Sequence, residues 1–143
     1  MTSKWDERFS QLCLLVASWS KDPSTKVGAV IVDNNNRILG VGYNGFPRGI
    51  SDLKERYEDK PTKYRMVVHA EANGILNSTG NVQDATLYVS PLPPCCECSK
   101  LIIQAGITKV KIYAPIEISD KWKNEFDFSS EMLTEAGIEL SFV

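Results

Sequence analysis

Apolar positions near the start of the chain recur at helical spacing. Phe9, Leu12, Cys13, Val16 and Trp19 fall on one face, which predicts a helix over residues 5–20 that buries that face. Asp22-Pro23 ends it. Two β-branched, apolar runs follow at 27–33 and 37–43, with Asn34-Asn35-Asn36 between them. Polar turn residues between two such runs predict an antiparallel hairpin. Residues 44–63 hold Gly45, Pro47, Gly49 and Pro61 among many charges, and read as a long loop. Long loops in compact domains are often functional.

Beyond residue 66 the pattern alternates. A helix over 70–77 precedes a strand over 85–90. A helix over 96–105 stops at Gly106, and a strand over 109–114 comes next. A helix over 124–136 stops at Gly137, and a last strand covers 138–143. Helices alternating with strands require crossover connections and a partly parallel sheet. The expected fold is α/β: a five-stranded mixed sheet flanked by helices, in one domain spanning 1–143.

Composition narrows the class. Of 143 residues, 43% are hydrophobic and 24% charged, and the formal net charge is −2. That balance fits a globular protein, and it lacks the basic excess of proteins that hold polymeric nucleic acid. No apolar run is long enough to cross a bilayer, so no membrane partner is expected. The first eight residues are too charged to open a signal peptide, which makes the cytoplasm the default location. Three of the four cysteines, Cys95, Cys96 and Cys98, lie within four residues. In a reducing compartment such clustering points to a metal more than to a disulfide.

The chemistry sits in two short motifs, His69-Ala70-Glu71 and Pro94-Cys95-Cys96-Glu97-Cys98. Cys95 and Cys98 have the spacing of two thiolates on one zinc ion, and His69 offers an imidazole nitrogen. Three protein donors leave the fourth position of a catalytic zinc to water. Cys96 points elsewhere, because neighbouring side chains at a helix start diverge. Both motifs open predicted helices, where backbone N–H groups favour thiolate. Glu71 is placed to move protons beside the metal without binding it. The pair of motifs, in this order, is the signature of zinc nucleobase deaminases. A redox Cys pair would instead follow the first strand of a thioredoxin-like unit. A structural zinc module serving protein interaction would need a fourth ligand, and Cys13, the distant candidate, sits on an apolar helix face.

At these residues the chain resembles the cytidine and deoxycytidylate deaminase family. The likeness extends to residues 20–30, to Gly42-Tyr43-Asn44-Gly45-Phe46-Pro47, and to residues 101–107. The resemblance implies a cytidine-deaminase-like three-layer α/β/α fold with strand order 2-1-3-4-5. It implies hydrolysis of dCMP to dUMP and ammonia, in supply of thymidylate synthesis, with one Zn2+ per chain. It further implies homo-oligomers, commonly hexamers, activated by dCTP and inhibited by dTTP, often with Mg2+ beside the effector. Gly42, Tyr43, Asn44 and Gly45 would help form that effector site. Asn44 would reach the substrate sugar, with Ala70 also at the substrate and Lys21 or Lys26 as a phosphate partner. After Val110 the chain departs from the better-known members. Either Tyr113 or Trp122 is available as the aromatic group near the pyrimidine. A dCTP deaminase, a dual dCMP/dCTP enzyme, and deamination of a base in RNA or single-stranded DNA remain the alternative activities.

Overall fold

The computed structural model describes residues 2–143. Its elements in chain order are α1 (Lys4–Ala17), β1 (Gly28–Val32), β2 (Ile38–Tyr43), α2 (Lys54–Glu58), α3 (Lys60–Met66), α4 (Ala70–Asn77), β3 (Thr86–Ser90), α5 (Cys96–Gln104), β4 (Lys109–Ile112), α6 (Asp120–Glu135) and β5 (Glu139–Phe142).

One five-stranded sheet has the order β2-β1-β3-β4-β5. β1 pairs antiparallel with β2 and with β3, while β3–β4 and β4–β5 are parallel. The expected order and hairpin are therefore present. At the hairpin tip the Asp33 carboxylate accepts the N–H groups of Asn35 (2.8 Å) and Arg37 (2.9 Å), and Asn36 takes φ 60. Asn tolerates that left-handed conformation better than most residues.

Alternation of side chains across the sheet builds two cores. On one face Val30, Val32 and Tyr88 pack with Phe9 and Cys13 of α1. On the other, Ile31, Leu87, Val89, Val110 and Ile112 pack with Ile102 of α5 and Leu133 of α6. α4 lies on that second face, with Ile31 and Ala29 close to Gly74. The result is three layers, with the central strand β1 buried along its whole length.

Two glycines set how closely the layers approach. A Cβ on Gly28 would lie 2.1 Å from the Cys13 carbonyl of α1. A Cβ on Gly42 would lie 2.2 Å from the Gly74 nitrogen and 2.4 Å from the Ala70 carbonyl of α4. Both obstacles are backbone, so any larger residue would push a helix off the sheet.

The structure departs from the sequence reading in three places. α1 ends at Ala17, and Trp19 is about half exposed instead of buried, edge-on to Tyr43. Beyond Ala17 the chain tightens into turns, with Ser20 Oγ donating to the Asn44 carbonyl (2.8 Å). The 44–63 loop carries α2 and the start of α3. α3 buries no side chain and α2 buries only Tyr57, so neither leaves an apolar stripe in the sequence. α6 begins four residues early, at Asp120, because Ser119 caps it by accepting the Trp122 N–H (3.3 Å).

α1 is anchored by charge as well as packing. Ser3 and Asp6 form a reciprocal capping box. The buried Asp6 carboxylate also accepts Tyr88 O–H (2.5 Å) and Lys111 Nζ (2.9 Å). Burial opposes its ionisation, but the bonds from Tyr88, Lys111 and the Ser3 N–H prevail and hold its pKa at about 2. A pKa below the unfolded value contributes stability above that value, lost as pH falls through the folded one. The contribution is about 2 kcal/mol. Asp6→Asn is therefore expected to be less stable than wild type at neutral pH. The gap should close as pH drops from about 4 to about 2, as read by denaturant midpoints across that range.

Candidate active site

Two helix starts converge. His69 is the N-cap of α4 and Cys95 the N-cap of α5, and the Cys98 N–H donates to Cys95 Sγ (3.5 Å). A two-stranded bridge, Gly45 N–H to the Val68 carbonyl (3.0 Å) and Val68 N–H to the Gly45 carbonyl (2.8 Å), fixes the chain just before His69. Four residues from the end of β3 to Cys95, three of them proline, carry the second motif to the same point.

The donor atoms of His69, Cys95 and Cys98 all lie within 4.8 Å of one another. His69 Nδ1 is 3.4 Å from Cys95 Sγ and 3.3 Å from Cys98 Sγ. A tetrahedral zinc with ordinary Zn–S and Zn–N bonds has S···N edges of about 3.5 Å. The donor set and its spacing therefore fit zinc. Among the described residues no fourth His, Cys, Asp or Glu joins the group.

The two ligand thiols act on each other. Hydrogen bonding from Cys98, working against burial and aided by His69, pulls the Cys95 thiol down. Its bond to Cys95, together with burial, drives Cys98 upward. One thiolate thus suppresses the other until a positive charge joins them. Cys96 is turned away, its N–H donating to Glu125 (3.1 Å), and burial with that carboxylate raises its thiol to about 11. Cys13 is fully buried in the α1 core, where desolvation raises its thiol strongly.

A cavity of about 570 Å3 opens on the cluster, lined by His69, Ala70, Glu71 and Cys95. Its volume lies in the range of small-ligand sites. Glu71 is in the first turn of α4 and only 4% exposed. Burial pushes its carboxyl up to about 7, against bonding to its own backbone and the charge on His69. A carboxyl whose proton is favoured by burial is suited to take up a proton in one step and release it in another.

Of the other residues singled out in the sequence, Asn44 and Ala70 line this cavity. The Asn44 side chain is occupied: Oδ1 accepts the Val27 N–H (2.9 Å) and Nδ2 donates to the Thr25 carbonyl (2.9 Å). Lys21, Lys26 and Tyr113 are not brought to the lining. Lys21 is largely exposed and pairs with Asp52 at 3.2 Å. Lys26 donates to the carbonyls of Ser20 (2.6 Å) and Asp22 (3.0 Å), which folds it back on its own loop. Trp122 lines the cavity where Tyr113 does not, held by its indole N–H on the Pro93 carbonyl (3.2 Å). Gly42 and Gly45 have the packing and bridging tasks already described, and the exposed Tyr43 accepts Asn73 Nδ2 at its carbonyl (2.8 Å). The sequence reading missed the ion pair in the cavity wall between the buried Asp22 and the partly buried Lys63. Asp22 looked like a helix stop and Lys63 like one charge among many.

The family model for the cytidine and deoxycytidylate deaminase zinc-binding region matches residues 3–114. The chain belongs to that family. This deaminase is 42% identical to a deaminase of Aliivibrio fischeri, over all of its own length and 96% of the relative's. It is 44% identical to the deoxycytidylate deaminase of Mus musculus, over 91% of its length and 73% of the relative's. Among solved structures, the dCMP deaminase of cyanophage S-TIM5 in complex with dCMP and dUMP superposes with a TM-score of 0.78. That match has 27% identity and covers 100% of this chain and 99% of the other. The α/β fold and the enzyme class agree with the sequence reading.

If the three donors share one ion, losing any of them should release it. Protein purified without chelator is expected to carry stoichiometric zinc. His69→Ala, Cys95→Ala and Cys98→Ala should lose it, and Cys96→Ala should keep it. Elemental analysis by mass spectrometry reads the difference.

Proposed function

We propose that this deaminase hydrolyses the exocyclic amino group of deoxycytidylate, giving dUMP and ammonia, within a single domain spanning 1–143. The observation that carries the reading is a buried acid, Glu71, sharing one nucleotide-sized cavity with a His-Cys-Cys donor set. The substrate choice is supported by the deoxycytidylate deaminase of Mus musculus and by the phage enzyme that holds dCMP and dUMP.

His69, Cys95 and Cys98 would hold the zinc. When bound, zinc lowers the pKa of water at its open position toward neutrality. Glu71 takes a proton from the attacking water and delivers it to N3 of the cytosine, which makes C4 more electrophilic. As oxygen bonds to C4, that carbon becomes tetrahedral. Glu71 then moves the remaining hydroxyl proton to the amino nitrogen. The C4–N bond breaks, ammonia leaves, and a carbonyl stays at C4 with hydrogen on N3. Trp122 forms an apolar wall of the cavity, and the Asn44 network holds the loop before β1 in place.

A second reading, dCTP as substrate, draws on Lys60 and Lys121, two exposed lysines in the lining that would meet further phosphates. The family resemblance extends the proposal to a cytoplasmic homo-oligomer, hexameric by preference. It also extends to activation by dCTP and inhibition by dTTP with Mg2+ near Gly42, Tyr43, Asn44 and Gly45.

Steady-state assays on dCMP, dCTP, deoxycytidine and cytosine test the substrate, with dCMP expected to show the highest kcat/KM. Glu71→Gln should keep its zinc and lose roughly 100- to 10,000-fold in kcat. A zinc-loaded Glu71→Gln protein with an unchanged rate would overturn the mechanism.

A further inference from the structure

Three lysines line the cavity: Lys60, Lys63 and Lys121. Lys60 and Lys121 are exposed, whereas the Lys63 side chain keeps only 12% of its surface. From α3 it reaches Asp22, with Nζ 2.9 Å from Oδ2 and 3.0 Å from Oδ1. An ammonium has three N–H groups, so two committed to Asp22 leave a third.

Asp22 does not depend on that lysine for its own position. Its Oδ1 also accepts the N–H groups of Ser24 (2.8 Å) and Thr25 (3.3 Å), and Oδ2 accepts Asn44 Nδ2 (3.3 Å). The carboxylate is 2% exposed and clasped by the loop, so it acts as a fixed holder for the ammonium. A cation held in one geometry loses less freedom on meeting an anion than a mobile surface lysine does. Partial removal from water also strengthens the bond it makes. Lys21 and Lys26 do not line the cavity: Lys21 is largely exposed and pairs with Asp52, and Lys26 spends its N–H groups on the Ser20 and Asp22 carbonyls.

We propose that Lys63, positioned by Asp22, recognises the anionic tail of the substrate and sets the preference for nucleotide over nucleoside. The inference rests on the nucleotide reading given above. A phosphate oxygen takes the third N–H of Lys63, and the Asp22 contacts stay in place. Lys60 and Lys121, exposed and hydrated, contribute less.

The test compares zinc-loaded wild type, Lys63→Met and Lys63→Gln on dCMP and deoxycytidine. Gln can still donate to Asp22, so the second variant keeps the test open if the Met variant fails to fold. The ratio of kcat/KM for dCMP over deoxycytidine should fall roughly 10- to 100-fold in either variant, chiefly through KM for dCMP. Inorganic phosphate should compete with dCMP in wild type and compete more weakly in the variants. Equal losses on both substrates would mean a structural staple and overturn the inference. A wild-type preference for dCMP that survives both substitutions would overturn it alone. Equal wild-type efficiency on the two substrates would overturn the nucleotide reading as well.

Discussion

Two thiolates do not sit a few ångströms apart without a cation to join them. In this chain the donor atoms of Cys95, Cys98 and His69 lie within 4.8 Å of one another, and the two thiols push each other's pKa values apart, so both ionise together only with a cation beside them. The two halves lie 26 residues apart, between His69 and Cys95, and reach each other through a strand and two helix starts. Helix N-termini suit the task, since their free N–H groups and positive dipole ends favour the anionic donors.

Much of the fold serves that convergence. The close crossing at Gly42 seats α4 on β2, and the Gly45–Val68 bridge holds the chain immediately ahead of His69. β3 runs antiparallel to the buried β1 and delivers the proline-rich turn that leads to Cys95. The same geometry buries Glu71 beside the donors, and the loss of water around it raises its carboxyl toward neutrality. A bound dication would draw that value down again, so acid strength at the site follows metal occupancy.

The layered sheet was legible because its strands and helices carry apolar periodicity, and the metal motif because His69, Cys95 and Cys98 have diagnostic identities and spacing. The cavity wall was not. α3 buries no side chain, so no apolar stripe announced it, and Lys63 gains its role only by folding over onto Asp22. Lys21 and Lys26 looked equally suited to a phosphate, yet each found a nearer partner in its own loop or in Asp52. Trp122 and Tyr113 were indistinguishable by type, and the early start of α6 at a Ser119 cap, with the indole bond to the Pro93 carbonyl, brings Trp122 to the cavity. Local patterns report elements and motifs, while the choice among equivalent side chains is made by tertiary contacts.

X-ray absorption at the zinc edge of the purified protein reads the donor set itself. Two sulfur scatterers at about 2.3 Å and two lighter atoms at about 2.0 Å are expected, one of the light atoms from His69 and one from solvent. An absent metal, a third sulfur, or a shell in which substrate fails to perturb the light atoms would contradict it.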